Sequence, residues 1–300
     1  MESKDPFSIP LLDETDIEIL MHKDVHFSGS FACMVDYYQK KGVGALSDFS
    51  MKKILKLQRI EQDTSQDLSH LLLPQASKSA VEDAKKMYLE LRDLYDNPTS
   101  SPMALAVADL ILSEEEEPTA EMDRIISFGS SITASLIHLI TTDNLYNPLY
   151  PGYGRAPIFA AYCLEKIQDP KAIAPLFHML GRHHAFADEA FIYALVSFKN
   201  AAREFLLKRL IHEPFAKENE HAAIVLTSMP DDETTSKTCL QLLRHPQISK
   251  HLMLANYLII GCSGLIQSED QAEFKKVKDL IPGIMKHEAD MILKSWAKSK

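Results

Sequence analysis

The sequence predicts an all-α protein whose second half consists of stacked helical hairpins. Three observations lead to this prediction. The chain has only 10 glycines among 300 residues and is 46% hydrophobic, a composition that suits long helices around a large core. Apolar residues recur at spacings of three and four, the period of a helix with one buried face. From about residue 155 onward, apolar positions and polar corners repeat every 31 residues.

The first half predicts helices without a fixed repeat. Helical apolar spacing covers residues 16–21, 27–40 and 49–60. Residues 79–82 match a capping box, so we expect a long helix to begin at Ser79 and to end before Asn97-Pro98. Further helices are predicted over the segments 103–112 and 121–140. The acidic run 114–117 between them and the segment 144–154 are predicted loops.

The second half carries the repeat. Two sets of apolar residues each keep a step of 31: Leu164, Leu195, Leu226 and Tyr257, then Ile167, Phe198, Met229 and Ile260. A polar corner follows in the first three units, at Asp169-Pro170, Asn200 and Asp231-Asp232. Each corner leads into a second helix, for which the predicted core pairs are Leu176/Leu180, Leu207/Ile211 and Leu242/Leu243. One such hairpin cannot cover its own apolar face, so the units are expected to stack into an α-solenoid.

The best-formed unit, residues 155–180, resembles a HEAT-like repeat of the phycobilin-lyase type. The residues that carry the resemblance are Pro157, Ala160-Ala161, Leu164, Ile167, Asp169-Pro170, Ala172-Ile173 and Pro175-Leu176. The resemblance extends over roughly residues 155–282. It implies a fold unit that serves scaffolds, adaptors and a few enzymes. We therefore expect an acidic helical region over 1–143 and a HEAT-like region over 144–300, with one continuous superhelix as the alternative.

The net charge and the spacing of the cysteines indicate which partners and which cellular location to expect. The formal net charge is −10, and residues 1–150 hold 13 Lys+Arg against 25 Asp+Glu. A nucleic-acid-binding protein usually has a basic footprint, so nucleic acid is not an expected partner. The four cysteines have no CxxC spacing, which predicts reduced, core-filling thiols in a cytoplasmic protein. The acidic N-terminus does not resemble a signal peptide, and no apolar run is long enough to insert into a membrane.

A metal-dependent enzyme is the alternative function class. HEAT-like hydroxylases hold two iron ions with His-Glu pairs at the starts of repeat helices. The matching positions here are Asp188-Glu189 and Glu220-His221, so one pair lacks the histidine and the other is reversed. His183, His184 and Asp188 could together bind a divalent metal, with His184 and Asp188 one helical turn apart, and a polar loop between repeats is the alternative. No catalytic, metal or cofactor residue is therefore predicted.

The expected function is non-enzymatic protein binding by a scaffold module. Polar positions on the second helices are predicted to form a mildly basic stripe on the concave face: His178, Arg182, Arg203, Lys208, Arg209, His212 and Arg244. Such a stripe suits an acidic protein or peptide; a solvated face, or docking of the acidic first half, are the alternatives. Tyr150 and Tyr153 are a second candidate contact, because exposed tyrosine is common at interfaces. The alternative is that these two tyrosines belong to a turn that packs on the first repeat.

Overall fold

The structure is a computed structural model that describes residues 12–280 and 283–298, and all regular elements in these ranges are helical. The all-α prediction is confirmed. The chain divides into two compact units, Met1–Cys163 and Leu164–Lys300. The predicted change from the acidic region to the repeats at residue 144 stays a prediction. The expectation about a signal peptide lies largely outside the described residues.

Among its described residues, unit 1 contains eight complete α-helices and most of a ninth. They are α1 Glu14–His26, α2 Phe31–Gln39, α3 Met51–Thr64, α4 Leu68–Leu72, α5 Gln75–Asp96, α6 Pro102–Leu112, α7 Thr119–Ser127, α8 Thr133–Thr141 and α9 Ala156–Ile167. Helix α1 packs against α3, α4 and α5, and α2 packs against α3. Helix α1 is therefore the central element of the N-terminal part of this unit.

Two predicted helices differ from those observed. Helix α5 begins at Gln75 and not at Ser79, because Pro74 occupies the N-cap with a φ of −58° that suits a helix start. Its end before Asn97-Pro98 is confirmed. The single helix predicted over 121–140 is broken into α7 and α8, because Gly129 adopts a left-handed φ of +58°.

A buried lysine ties three segments of unit 1 together. The side chain of Lys23 on α1 is 1% exposed, and its Nζ lies 2.9 Å from Glu61 Oε2 and 3.1 Å from Asp67 Oδ1. The ammonium also lies 5.0 Å from the centre of the Phe31 ring. Burial by itself would lower the pKa of Lys23, but the hydrogen bonds from the ammonium to Glu61 and Asp67 outweigh it and raise this pKa. The lysine therefore stays charged inside the unit.

Two histidines on α1, the buried His22 and the half-buried His26, lie among aromatic rings. The His26 ring donates one hydrogen bond and accepts another, with Nε2 at 3.0 Å from the Pro148 carbonyl and Nδ1 at 3.0 Å from the Tyr88 hydroxyl. The His22 ring lies edge-on to Phe49 at a centroid distance of 5.0 Å. Burial lowers the pKa of His22 to about 3 and that of His26 to about 4. Both rings are therefore neutral at neutral pH.

Unit 2 contains the end of α9 and, among its described residues, eight further α-helices, which the predicted hairpins assign alternately as second and first helices. The helices after α9 are α10 Ile173–Met179, α11 Ala185–Ser197, α12 Asn200–Leu210, α13 Lys217–Ser228, α14 Glu233–Leu243, α15 Leu252–Gly261, α16 Ser268–Leu280 and α17 Lys286–Lys298. The first helices pack in succession, α11 on α13, α13 on α15 and α15 on α17. Among the second helices, α10 packs on α12 and α14 packs on α16.

The predicted core positions are confirmed only in part, because Ile167, Tyr257 and Ile260 on the first helices and Leu242 and Leu243 on a second helix are half-buried. Leu164, Leu195 and Leu226 are all buried. In α12 the buried leucines are Leu206 and Leu210, not the predicted Leu207 and Ile211, and Ile211 is 53% exposed. A 3-10 turn precedes α10 but not α12. A 3-10 helix has 3.0 residues per turn and an α-helix has 3.6. Residues of α10 and α12 that are 31 positions apart in the sequence therefore lie on different faces of their helices.

The cysteine prediction is correct in three positions of four. All four thiols are free, and Cys163, Cys239 and Cys262 are buried. Cys33 is exposed, which corrects its assignment to the core. Helix α2 turns Phe31 and Met34 inward, so Cys33 lies on the opposite side of a helix with only one buried face.

Among the described residues, no single helix is long and apolar enough to cross a bilayer. The pair α7 and Gly129–Thr141 meets the same criterion by length and composition only, with a bend of 107° between its parts.

Replacement of Lys23 by methionine should lower the free energy of unfolding by roughly 2 kcal/mol, because the charge-assisted hydrogen bonds from the buried ammonium to the partly exposed Glu61 and the exposed Asp67 are lost. Urea denaturation measures the loss, and hydrogen exchange should localise it to α1 and α3. The matched control is Lys53→Met, which breaks an exposed ion pair with Asp13 and should leave the urea midpoint unchanged. Equal effects of the two variants would contradict the role given to Lys23.

Acid should destabilise unit 1 well before its carboxylates titrate. The folded pKa values of His22 and His26 lie below the unfolded value of about 6.5. Below that pH the unfolded chain binds protons that the folded chain does not, so stability falls until the pH reaches the folded values. At pH 5 each histidine should cost roughly 2 kcal/mol. Urea unfolding from pH 7 to 5 should show this slope, flatter in His22→Phe and unchanged in the exposed-site variant His70→Gln.

Candidate functional site

A cleft of unit 2 lies between α14, α15 and α16. Its volume is about 490 Å³, within the range of pockets that bind small molecules or peptide side chains. The residues that line it are Leu243, Arg244, His245, Pro246, Ile248, Ser249, Leu252, Ala255, Glu273, Lys276 and Val277. One of them, Arg244, belongs to the stripe predicted from the sequence.

The local sequence explains why the cleft is open. Helix α14 ends at Leu243, and Pro246 shortly afterwards cannot continue a helix. The short 3-10 turn Ile248–Lys250 then turns the Ile248 side chain inward, where it is buried. Together with Ala255 and Val277, Ile248 makes the floor of the cleft apolar. Leu252 stands at the first position of α15 and remains 52% exposed.

Charged groups surround this apolar floor. Arg244 Nη1 lies 2.8 Å from Glu273 Oε1, and the arginine side chain is still 62% exposed. Lys276 is exposed and forms no ion pair with any side chain that the structure describes. His245 Nε2 lies 3.6 Å from Glu213 Oε1, and its ring packs edge-on against Phe215. Apart from His245, the lining carries two cations, Arg244 and Lys276, against one carboxylate, Glu273, so a partial positive charge remains at the rim.

Two arginines of the predicted stripe are tied to the neighbouring hairpin. The Arg203 guanidinium donates a hydrogen bond of 2.8 Å to the Pro230 carbonyl and lies 3.9 Å from Asp232. The Arg209 guanidinium lies over the Phe205 ring and 3.8 Å from Glu218. Both side chains therefore connect α12 to the hairpin that follows it.

The other stripe residues are open to solvent. His178, Arg182, Lys208 and His212 are all exposed. The structure thus divides the predicted stripe into residues that hold the fold and residues at the surface, and it brings only Arg244 to the cleft.

The tyrosines predicted as a second contact are packed inside unit 1. Tyr150 is 7% exposed and belongs to a core cluster with Ala84 and Leu149. Tyr153 is partly buried, with its ring 4.5 Å from the His26 ring. The premise that this loop offers exposed tyrosines is therefore wrong for Tyr150. The loop also contains Gly152 and Gly154 in left-handed backbone conformations, and a Cβ at Gly152 would lie 2.6 Å from the Ile111 carbonyl oxygen.

The residues considered for a metal centre have structural contacts. His184 caps α11 by accepting a hydrogen bond from the Ala187 backbone N–H, and Asp188 Oδ1 accepts one of 2.8 Å from the Gly181 N–H. Burial lowers the pKa of His221. Within residues 12–280 and 283–298, no three His, Cys, Asp or Glu side chains come together in a group that could hold a metal ion.

The sequence did not single out most of the cleft. His245, Leu252, Glu273 and Lys276 belong to the third and fourth units, where the repeat pattern becomes irregular. The available signal was that irregularity: Pro246 soon after a helix end, and a pair of adjacent apolar residues, Leu252-Met253, that the helix leaves exposed.

Comparisons with known proteins give no further indication. The sequence matches no protein-family model. It also matches no curated protein and no solved structure.

Replacement of Arg203 by alanine should lower the free energy of unfolding of unit 2 by about 1–2 kcal/mol, because the Pro230 carbonyl and Asp232 lose their partner. Urea denaturation measures this change. Lys208→Ala, on the same helix but exposed, is the control and should leave the midpoint unchanged. Equal stability of the two variants would contradict the stabilising role given to Arg203.

Proposed function

We propose that unit 2 is a stack of HEAT-like hairpins that binds a partner protein, without bond chemistry. The observation that carries the proposal is the cleft around Arg244. The successive packing of α11, α13 and α15 supports a stack, since each first helix contacts the one in the next hairpin. Such a stack leaves side chains at its irregular end without a following regular unit to cover them.

The cleft is suited to one kind of occupant, a peptide segment with an apolar side chain next to an acidic one. The apolar side chain would pack on Ile248, Leu252 and Val277, which together provide buried floor and exposed rim. The acidic side chain would pair with Lys276 and with Arg244, which presents several N–H donors and uses only part of them on Glu273. Binding would thus combine apolar burial with charge complementarity.

The rival proposal is a metal-dependent HEAT-like hydroxylase. No group of three potential metal ligands among the described residues supports it. Elemental analysis of the purified protein separates the two classes, since stoichiometric iron or zinc would favour the enzyme.

The peptide proposal can be tested by fluorescence polarisation with labelled eight-residue peptides that carry one leucine flanked by glutamates, glutamines or lysines. The glutamate peptide should bind about tenfold more tightly than the glutamine peptide, because two exposed charge pairs contribute up to about 1 kcal/mol each and a factor of ten corresponds to about 1.4 kcal/mol. The lysine peptide should bind weakest of the three.

Variants of the cleft make the test specific. Arg244→Glu and Lys276→Glu should each abolish the preference for the glutamate peptide, and Leu252→Ser should weaken all three peptides. Lys208→Glu changes the same charge on an exposed helix outside the cleft and should have no effect. Equal binding of the three peptides, or an equal loss in Lys208→Glu, would overturn the proposal.

A further inference from the structure

Unit 1 holds a second, smaller cavity that the partner-binding proposal does not use. Its volume is about 350 Å³, at the lower end of the range for small-molecule sites. The lining residues come from α1, from the loop after α2 and from the loop that precedes α9: Glu18, Met21, His22, Leu46, Asn147, Pro148 and Leu149.

One lining side chain is buried with its hydrogen-bonding capacity unused. His22 is 6% exposed, and its ring contacts are with Phe49 and His26. Neither ring nitrogen has a hydrogen-bond partner among the residues that the structure describes. His26, one turn further along α1, has partners for both ring nitrogens. The two ring nitrogens of His22 are therefore available to a molecule that occupies the cavity.

The chemistry of the lining defines what that molecule should carry. The His22 ring is neutral at pH 7, since burial lowers its pKa to about 3, so it offers one N–H donor and one nitrogen acceptor. Glu18 lies four residues earlier on the same helix, at the rim, and forms no ion pair with a described residue. It is the only charged side chain among the described residues that line the cavity.

The remaining lining groups are apolar or amide in character. Met21, Leu46 and Leu149 supply apolar walls. Asn147 Oδ1 accepts a hydrogen bond of 2.9 Å from the Leu149 backbone N–H, which directs the rest of that amide away from Leu149. Lys23 follows His22 in the chain, but its ammonium is held by Glu61 and Asp67 and cannot balance an anionic ligand.

We propose that this cavity binds a small organic amine. Its ammonium pairs with the Glu18 carboxylate, and its apolar body packs against Met21, Leu46 and Leu149. A hydroxyl at its other end hydrogen-bonds the His22 ring. A carboxylic acid of the same shape is excluded, because its charge would face Glu18 without compensation.

Three probes of one shape test the amine preference: tyramine, the neutral 4-ethylphenol and the acid 3-(4-hydroxyphenyl)propionate. Isothermal titration of the full chain should give an affinity for tyramine about tenfold higher than for 4-ethylphenol, and no binding of the acid. Tyramine should also shift the His22 ring nitrogen signals in histidine-selective NMR. The absence of saturable tyramine binding up to millimolar concentrations would overturn the proposal and leave an ordered water as the partner of His22.

Two variants separate binding from folding. Glu18→Gln should reduce tyramine affinity about tenfold while 4-ethylphenol binding stays unchanged. His22→Phe keeps the ring shape, so it should weaken tyramine and 4-ethylphenol alike while the urea midpoint holds or rises. Glu82→Gln, an exposed charge change on α5, is the control. Tyramine binding that is unaffected by Glu18→Gln, or reduced equally by Glu82→Gln, would also overturn the proposal.

Discussion

The backbone groups at helix ends impose the main constraint on this protein. Each α-helix leaves its first N–H groups and last carbonyl groups without partners inside the helix, and the described chain contains many short helices joined by tight corners. Asn219 shows how the constraint is met. It is 2% exposed, and its amide donates to the carbonyls of Arg209, Leu210 and His212 while its Oδ1 accepts from the Ala216 N–H. One side chain thereby closes the end of α12 and the start of α13.

This constraint decides which polar residues remain available for binding. Arg203 would be exposed on an isolated helix, but here its guanidinium donates a hydrogen bond to the Pro230 carbonyl at the next corner. Lys23 is an extreme case, because Asp67 both caps α4 and accepts a hydrogen bond from the buried ammonium. The stabilisation that such groups provide depends on their being fully paired, so they cannot be given up to a partner without loss of fold.

Sites arise where the pairing is incomplete. In unit 2 the chain leaves α14 through Pro246 and a short 3-10 turn, and the cationic rim around Arg244 is only partly neutralised by Glu273. In unit 1 the His22 ring lines a cavity with neither nitrogen bonded to a described residue, whereas His26 beside it is fully satisfied. In each unit a polar group is left that a ligand can pair with: the cationic rim around Arg244 in unit 2 and the His22 imidazole in unit 1.

Sequence alone was enough to establish the helical class and the core positions Leu164, Leu195 and Leu226, because helix amphipathicity is a local pattern. It also identified Arg244 as a candidate residue. It did not determine the face of α12 that is buried, the exposure of Cys33 or the inward packing of Tyr150. Those were decided by tertiary structure, since a 3-10 turn rotates the following helix and only the neighbouring elements settle which face is covered. The two cavities belong to the same category, because residues far apart in the chain, such as His22 and Leu149, have to meet before either cavity exists.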